Sequence, residues 1–425
     1  MNSKVVSIDS PDFLKASARP GRFDRFARRI VFSQLEKIQS GQVVISEGGE
    51  HRIFGRLSDE FPLTAQVRVM HPRFYSDVAF GGQIGAGEAW IHGYWACDGL
   101  TDLLCILLQN RDVLNGMDEG FARLGKPLQK LFHRLNRNTR SGSRNNIAAH
   151  YDLGNDFYAL WLDPKMMYSA AYFGTPDTSL EDASIAKLDR ICRKLDLLPG
   201  DSVIEIGTGW GGLAIHAAKH YGCHVATTTI SRQQHDYAQE AIRREGLEDR
   251  VTLLFEDYRD LRGQFDKLVS VEMIEAVGHE YHETFFRKCA ELLKPGGQML
   301  LQAITIADQH YEAYKKGVDF IKRYIFPGGC LTSVTDMTRV MTGSTDMRVI
   351  HLEDIGPHYA TTLKHWHDRF FAAIDDVRRL GYSDGFIRMW QFYLCYCEAA
   401  FTERAIGDVQ MLMMRPDARR DSIDY

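Results

Sequence analysis

Read from its amino end, the chain changes its hydrophobic period several times. Residues 1–40 are polar, with Arg19, Arg22, Arg25, Arg28 and Arg29 interleaved with Phe23, Phe26, Ile30 and Phe32, a spacing that predicts a basic amphipathic helix. From 41 to 90 the runs QVVI, HRIFGRL and TAQVRVM are short and alternating or apolar, with Gly-containing turns between them, and predict strands. The stretch GGQIGAGEAWIHGYWACDG reads as a glycine-rich turn leading into aromatics. TDLLCILLQN then reads as a capped, buried helix. Residues 41–120 are thus expected to form a small α+β domain.

Between 121 and 151 stand Arg123, Lys126, Lys130, Arg134, Arg137, Arg140 and Arg144, and no acid. Leu128, Leu131, Phe132 and Leu135 lie at helical spacing along the same stretch, an apolar stripe beside the basic face. A domain boundary is placed here, with 121–149 a basic amphipathic linker and 150–425 a second domain. From about 185 helices alternate with strands: SIAKLDRICRKLDL, SVIEIG, GGLAIHAAKHYG, HVATTTI, SRQQHDYAQEAIRREG, VTLLFED, FDKLVSVEM and GGQMLLQAIT. That rhythm predicts an α/β, doubly wound parallel sheet with helices on both faces. A helical region is expected from about 310 to 405, and VQMLMMR as a last strand.

Composition narrows the class. With 51 Lys plus Arg against 56 Asp plus Glu the net charge is −5, too mild for a dedicated nucleic-acid binder, so any basic surface is local. No apolar run approaches the ~18–20 residues of a membrane helix. The amino-terminal stretch lacks the apolar core and cleavage site of a secretory signal, and a cytoplasmic protein is expected. Eight cysteines without a C-x2-C pair argue for core thiols rather than disulfides or a cysteine zinc site. HEYHE (279–283) has the wrong spacing for a zinc helix and reads as a surface or capping element.

The chemistry begins at VIEIGTGWGG, where Gly207, Gly209 and Gly212 follow a strand and precede a helix. A nicotinamide-binding domain wants an acid after the next strand; the corresponding segment, Thr227 to Ser231, has none. Glu205 before the first glycine, and Glu256, Asp257 and Tyr258 after a later strand, suit instead a nucleoside cofactor that carries a cation. S-adenosylmethionine is such a cofactor.

The segments HYDLGNDFYALWLDPKMMYSAAYF (150–173), EIGTGWGGLA (205–214), TTISRQQ (228–234), EDYRDL (256–261), MIEAVG (273–278), KRYIFPGGCLTS (322–333) and FYLCYCEAAF (392–401) resemble the cyclopropane-fatty-acyl-phospholipid synthases. The likeness runs from about residue 65 to the carboxyl end. It is greatest to the branch holding the plant-type enzymes and the actinobacterial enzymes that make methyl-branched chains. The resemblance implies a seven-stranded Rossmann-like S-adenosylmethionine methyltransferase domain behind a small lipid-side domain. It implies methylation of the double bond of an acyl chain esterified in a phospholipid, then loss of a proton to close a ring. Cofactor contacts would fall on Tyr168, Ser169, Gly207, Thr208, Gly209, Thr229, Ile230, Ser231, Gln233, Gln234, Asp257 and Tyr258.

In the resembled family the base is a bicarbonate held by a cysteine, a glutamate, a histidine, an isoleucine backbone and a tyrosine. Glu275, Ile304 and Tyr359 match three of these positions; the cysteine position is Ala170 and the histidine position Gln302. Glutamine still donates to an anion, but the alanine side chain does not. The family's late cysteine falls on Cys397. Aromatic faces suit the carbocation such a reaction makes, because they attract positive charge without a lone pair that traps it; Tyr151, Phe157, Trp161, Tyr168, Tyr172 and Tyr324 are candidates. The same start with a different proton loss would give a methyl-branched or methylene chain. A small-molecule N- or O-methyltransferase is the alternative that leaves residues 65–140 without a purpose. The expected partners are unsaturated phospholipid acyl chains and, peripherally, the anionic inner face of a membrane, with a homodimer left open.

The charge count generates a test. Attraction to an anionic surface is worth about 1 kcal/mol per basic residue and is screened by salt. Changing Lys130, Arg134 and Arg137 to Gln is expected to weaken sedimentation with anionic vesicles at low salt. Equal binding of variant and parent assigns the stretch to a linker and moves docking to residues 19–32.

Overall fold

The computed structural model describes residues 21–119 and 153–419. The basic stretch 121–149, Tyr151 and Arg19 lie outside the described residues. The chain falls into two compact units that do not follow chain order.

The first unit begins with α1 (Arg22–Leu35), which buries Ala27, Val31, Phe32 and Leu35 and leaves its arginine face outward, as the sequence pattern requires. Strands β1 (Gly41–Glu47), β2 (Glu50–Arg56) and β3 (Thr64–Val69) form where expected. β1 pairs antiparallel with β2 and parallel with β3. The glycine-rich stretch is not a turn. It lies in α2 (Arg73–Ile91), a helix kinked at Gly82, whose φ of 57° and ψ of −141° only glycine adopts readily. Aromatics behind it make β4 (Trp95–Asp98), which completes a sheet of order β2-β1-β3-β4. The next helix, α3 (Leu100–Gln109), starts after a left-handed Gly99 with no side-chain cap, so the expected cap is absent. α4 (Arg111–Glu119) follows.

The second unit starts with the short α5 (Asn155–Ala159) and the helix α6 (Leu180–Lys194), capped by Ser179. Next come β5 (Ser202–Ile206), α7 (Gly212–Tyr221), β6 (His224–Thr228), α8 (Arg232–Arg244), β7 (Val251–Leu254) and β8 (Phe265–Val271). α9 (His282–Leu292), β9 (Leu293–Ile306), α10 (Asp308–Tyr314) and α11 (Val334–Ser344) continue it. The helical region expected over 310–405 is interrupted by β10 (Arg348–Asp354), after which α12 (Gly356–Ala372) follows.

Two helices then return to the first unit: α13 (Ile374–Arg379) and α14 (Asp384–Thr402), joined there by residues Gly317–Ile325. The 150–425 block expected from the sequence is therefore discontinuous. In the first unit Arg388 of α14 donates to the carbonyls of Trp90 and Trp95, and Trp90 Nε1 donates back to the Arg388 carbonyl at 2.9 Å. Gly87 of α2 lies so close to Phe320 that a Cβ there would come within 2.5 Å of the ring.

Strand β11 (Ile406–Met414) re-enters the second unit antiparallel between β9 and β10, giving the order β10-β11-β9-β8-β5-β6-β7. Both faces are covered, so its strands read as continuous apolar runs. Ile204, Leu268, Met299, Leu301, Met411 and Met413 pack toward α9 and α11. Val203, Val269, Leu300 and Leu412 pack on the opposite face with residues of α6 and α7.

Candidate active site

The chain runs from β5 outward to β6 and β7, then crosses back to lay β8 on the other side of β5. Ligand sites of open α/β sheets open at the carboxyl ends of the strands where the order reverses. The loops leaving β5 and β8 there carry the Gly207–Gly212 turn and the segment from Glu272 to Gly278.

On the β5 side, Gly207 and Thr208 donate their N–H groups to the Thr228 carbonyl at 3.1 and 3.0 Å, and Gly207 and Gly209 have φ of 105° and 53°. A Cβ at Gly209 would meet no protein atom within 4 Å, so that face of the turn opens on free space. Gly212 differs: a Cβ there would strike Met167 Sδ at 2.5 Å, which makes it a packing residue. Beneath the turn, Thr227 donates to Glu205 at 2.5 Å. The Thr208 hydroxyl, 2.7 Å from Thr227, is left to donate to Thr227. Burial lifts the Glu205 carboxyl to about 8, against the pull of Thr227 and Lys187. The Ser169 hydroxyl accepts from Lys187 Nζ at 2.8 Å, and Lys187 is wholly buried.

Ser231 caps α8, its hydroxyl accepting from Gln234 N–H, and Thr229 donates to Gln234 Oε1 at 3.0 Å. Both therefore shape the turn, while Ile230 between them is half-buried. Asp257 is held by Arg259, whose Nε and guanidinium donate to it at 2.8 and 2.6 Å, so this carboxylate is already neutralised. The Gln233 Oε1 and Tyr258 hydroxyl are buried and unpaired among the described residues. Two unmet polar atoms, an open glycine face and a buried acid fit S-adenosylmethionine. The sequence missed Asn155, which accepts from Trp210 Nε1 at 2.7 Å and donates to the Gln233 carbonyl at 3.4 Å, tying the glycine turn to α8.

On the β8 side the structure gathers three carboxyls, that of the buried Asp408 and those of the half-buried residues Glu272 and Glu275, of which only Glu275 was anticipated. Glu275 Oε1 accepts from the Ile304 N–H at 2.6 Å, while its Oε2 is buried and unpaired among the described residues. Glu272 accepts from the Ala170 N–H at 2.9 Å, Gln302 Nε2 at 2.8 Å and the Tyr359 hydroxyl at 2.8 Å. Asp408 of β11, opposite Ile304 of β9, accepts from the same Gln302 amide at 2.9 Å. Burial lifts all three carboxyls; repulsion from Glu272 adds to it at Glu275, which rises to about 8, and repulsion from both glutamates adds to it at Asp408, whereas the donors on Glu272 and the charge of Lys187 pull its carboxyl back down.

The orientation of Gln302 is set from a distance. Lys194, paired with Glu353, donates to Gln410 Oε1 at 2.8 Å. An ammonium only donates, so Gln410 must present its Nε2 to Gln302 Oε1, at 3.0 Å, and Gln302 turns both amide protons to the carboxyls.

Aromatic rings stand beside these groups. Tyr168 packs against Tyr158, Trp161 and Trp366 with centroids 5.4, 5.6 and 5.3 Å away. Trp366 in turn meets Tyr359 edge-on at 5.9 Å. Phe157 and Trp161 belong to this nest, whereas Tyr158 and Trp366 were missed. Tyr172 is engaged elsewhere, with the Arg190 guanidinium 4.1 Å over its ring. Tyr324, in the first unit, donates its hydroxyl to Glu88 at 2.5 Å. Cys397 also lies in the first unit, on α14. The surface reading of HEYHE is corrected at His282, which is 1% exposed and bonded to Asp336 at 3.1 Å.

A model of the mycolic acid cyclopropane synthetase family matches residues 138–411. The chain belongs to this family. It is 40% identical over 354 residues to the cyclopropane-fatty-acyl-phospholipid synthase of Escherichia coli K12, covering 83% of this chain and 88% of that one. Over 342 residues it is 37% identical to the tuberculostearic acid methyltransferase of Mycobacterium tuberculosis, covering 79% of each. Among solved structures, a mycolic acid cyclopropane synthase complexed with SAH and CTAB gives a TM-score of 0.60 at 30% identity, over 64% of this chain and 98% of that one. As a member of the family the chain is an S-adenosylmethionine-dependent methyltransferase.

Two expected outcomes follow from the site. Gly209→Ala places a methyl group in the open space before the turn at a backbone cost of about 1 kcal/mol, and should lower S-adenosylmethionine affinity more than tenfold by calorimetry; unchanged affinity would show that the space is not the cofactor's. The second outcome concerns pH. The unfolded chain releases the Glu275 proton near 4.5, whereas the folded chain keeps it to about 8. Stability should therefore fall as pH rises through that window. Glu275→Gln should flatten this slope in thermal melts and abolish turnover while cofactor binding persists.

Proposed function

We propose that this protein transfers the methyl carbon of S-adenosylmethionine to the double bond of an unsaturated acyl chain in a membrane phospholipid and forms a cyclopropane fatty acid. The cofactor supplies an electrophilic methyl group. The chain's residues then have two tasks, to shelter a carbocation and to remove a proton. The observation that carries the reading is the carboxyl cluster of Glu272, Glu275 and Asp408, buried at the β8 end of the sheet with the rings of Tyr359, Trp366 and Tyr168 in succession beside it. An amine or hydroxyl acceptor brings its own lone pair and has no need of so many buried acids. An alkene leaves a cation and a proton to be dealt with. The names of the relatives agree with such a substrate.

A second product class is favoured by Ala170 and Gln302, where the resembled family has cysteine and histidine. A 1,2-hydride shift from the methylated carbon to its cationic neighbour, followed by loss of a methyl proton, would give a methylene chain, and a separate hydride donor would reduce that chain to a methyl-branched one. The anion of the resemblance, bicarbonate, would have to compete for donors that Glu272 already engages. Cys397 is read as a pocket-lining thiol, and that role rests on the resemblance alone.

Access to acyl chains requires a membrane surface, and we place the protein peripherally on the inner face. No described helix is long and apolar enough to cross a membrane. Helix α1 exposes Phe23 (60%) and Phe26 (49%) among the exposed Arg22, Arg25 and Arg29, a face suited to anionic headgroups.

Expression in a host that makes monounsaturated phospholipids tests the reading. Mass spectrometry should find acyl chains one methylene heavier, and proton NMR should find cyclopropane ring protons. Exomethylene signals in their place select the second product class, and unmodified acyl chains reject both.

A further inference from the structure

Glu272 follows the last residue of β8 with a φ of 48°, the left-handed region, where a side chain is strained. Strain of this kind persists only where the surroundings enforce it. Here they do so with three donors: the Ala170 N–H and Gln302 Nε2 on Oε1, and the Tyr359 hydroxyl on Oε2. Ala170, Gln302 and Tyr359 are positions at which the resemblance places ligands of a bound anion. In this chain the donors at those positions converge on a side-chain carboxylate. Gln302 is held in its donating orientation by the relay from Lys194 through Gln410. The neighbouring carboxyls of Glu275 and Asp408 are pushed toward their neutral form by burial and by Glu272, so they bring no positive charge that would hold an anion. A second, freely diffusing anion would have to displace Glu272 from its donors.

We infer that the Glu272 carboxylate takes the place of the bound bicarbonate and accepts the proton, so that this chain carries its base covalently. The inference rests on the methyl transfer proposed above. After the methyl carbon has bonded to one alkene carbon, the other carbon is cationic. A C–H bond of the new methyl group breaks, its electron pair forms the bond that closes the ring, and the proton passes to Glu272, which becomes a neutral carboxyl. Oε2, with one hydrogen-bond donor, keeps acceptor capacity for that proton. Water receives the proton once the product has left. Gln302 and Tyr359 act as positioning residues. Burial raises the carboxyl above its ordinary range, which suits a base that must take up a proton near neutrality.

The test uses the full chain on vesicles of dioleoyl phosphatidylglycerol and dioleoyl phosphatidylethanolamine, with S-adenosylmethionine, in buffer stripped of carbon dioxide or supplemented with bicarbonate. The parent protein is expected to turn over equally in both and to show no calorimetric binding of bicarbonate. Glu272→Gln should lose on the order of 10²- to 10⁴-fold in turnover with S-adenosylhomocysteine affinity unchanged. Glu272→Gly relaxes the backbone, removes the acceptor of three donors and opens the place, so it should melt higher when bicarbonate is added, bind bicarbonate by calorimetry, and regain at least about tenfold of the 10²- to 10⁴-fold that a positioned base supplies. A parent that methylates lipid only when bicarbonate is present, or a Glu272→Gln variant that keeps its rate, overturns the inference and leaves the proposed function standing. A parent that methylates no lipid overturns both.

Discussion

Removing a carboxylate from water costs several kcal/mol unless the protein returns the lost hydrogen bonds. The second unit does this for Glu272, and much of its local architecture is arranged around that requirement. Tyr359 reaches it from α12, Gln302 from β9, and the Ala170 N–H from the segment ahead of α6. The last of these is itself anchored to α12, since Ala171 N–H donates to Thr362 and Phe173 N–H to His358. Elements far apart in the chain meet because one buried acid demands partners from each. The neighbouring Glu275 and Asp408 receive less, each keeping one unpaired oxygen among the described residues. An incompletely satisfied acid stays closer to its neutral form, so the cluster holds its charge loosely.

The side of the glycine turn is built differently. There the backbone makes the site, through a glycine turn that leaves open space and a run of threonines that links Thr208 to Glu205. Backbone sites of this kind leave strong marks in a sequence, because glycine spacing and strand rhythm are local. The glycine loop, Glu205, the Thr229–Gln234 turn and the alternation of β5 to β9 were legible for that reason.

What was not legible depended on distance. Glu272 looked like an ordinary residue at a strand end, and Asp408 like one polar position in an apolar strand; each acquires meaning only from residues 30 to 106 positions away. The glycines of α2 suggested a turn because the close approach of Gly87 to Phe320 lies outside any local window. Strand β10 was hidden among helices for a similar reason: its place beside β11 is fixed by pairing to residues some sixty positions later. Asp257 shows the converse case. Its place after β7 suggests a free acid for a cofactor, and the Arg259 guanidinium two residues on takes up its charge.

The discontinuity of the first unit has a consequence for how the molecule is made. Trp90 exchanges hydrogen bonds with Arg388, 298 residues later, and Thr101 donates to Glu398 across a similar span. During synthesis the amino-terminal helices α2 and α3 therefore emerge long before α14, which packs on them. Contacts at such separation are slow to form because the intervening loop must close first. The sheet unit in between is the part able to gather its own early strands while the chain is still growing, and the amino-terminal layer has to wait, with apolar surface uncovered, for a helix that emerges nearly 300 residues later. A fragment cut before α14 leaves the faces of α2 and α3 that it packs on open to water.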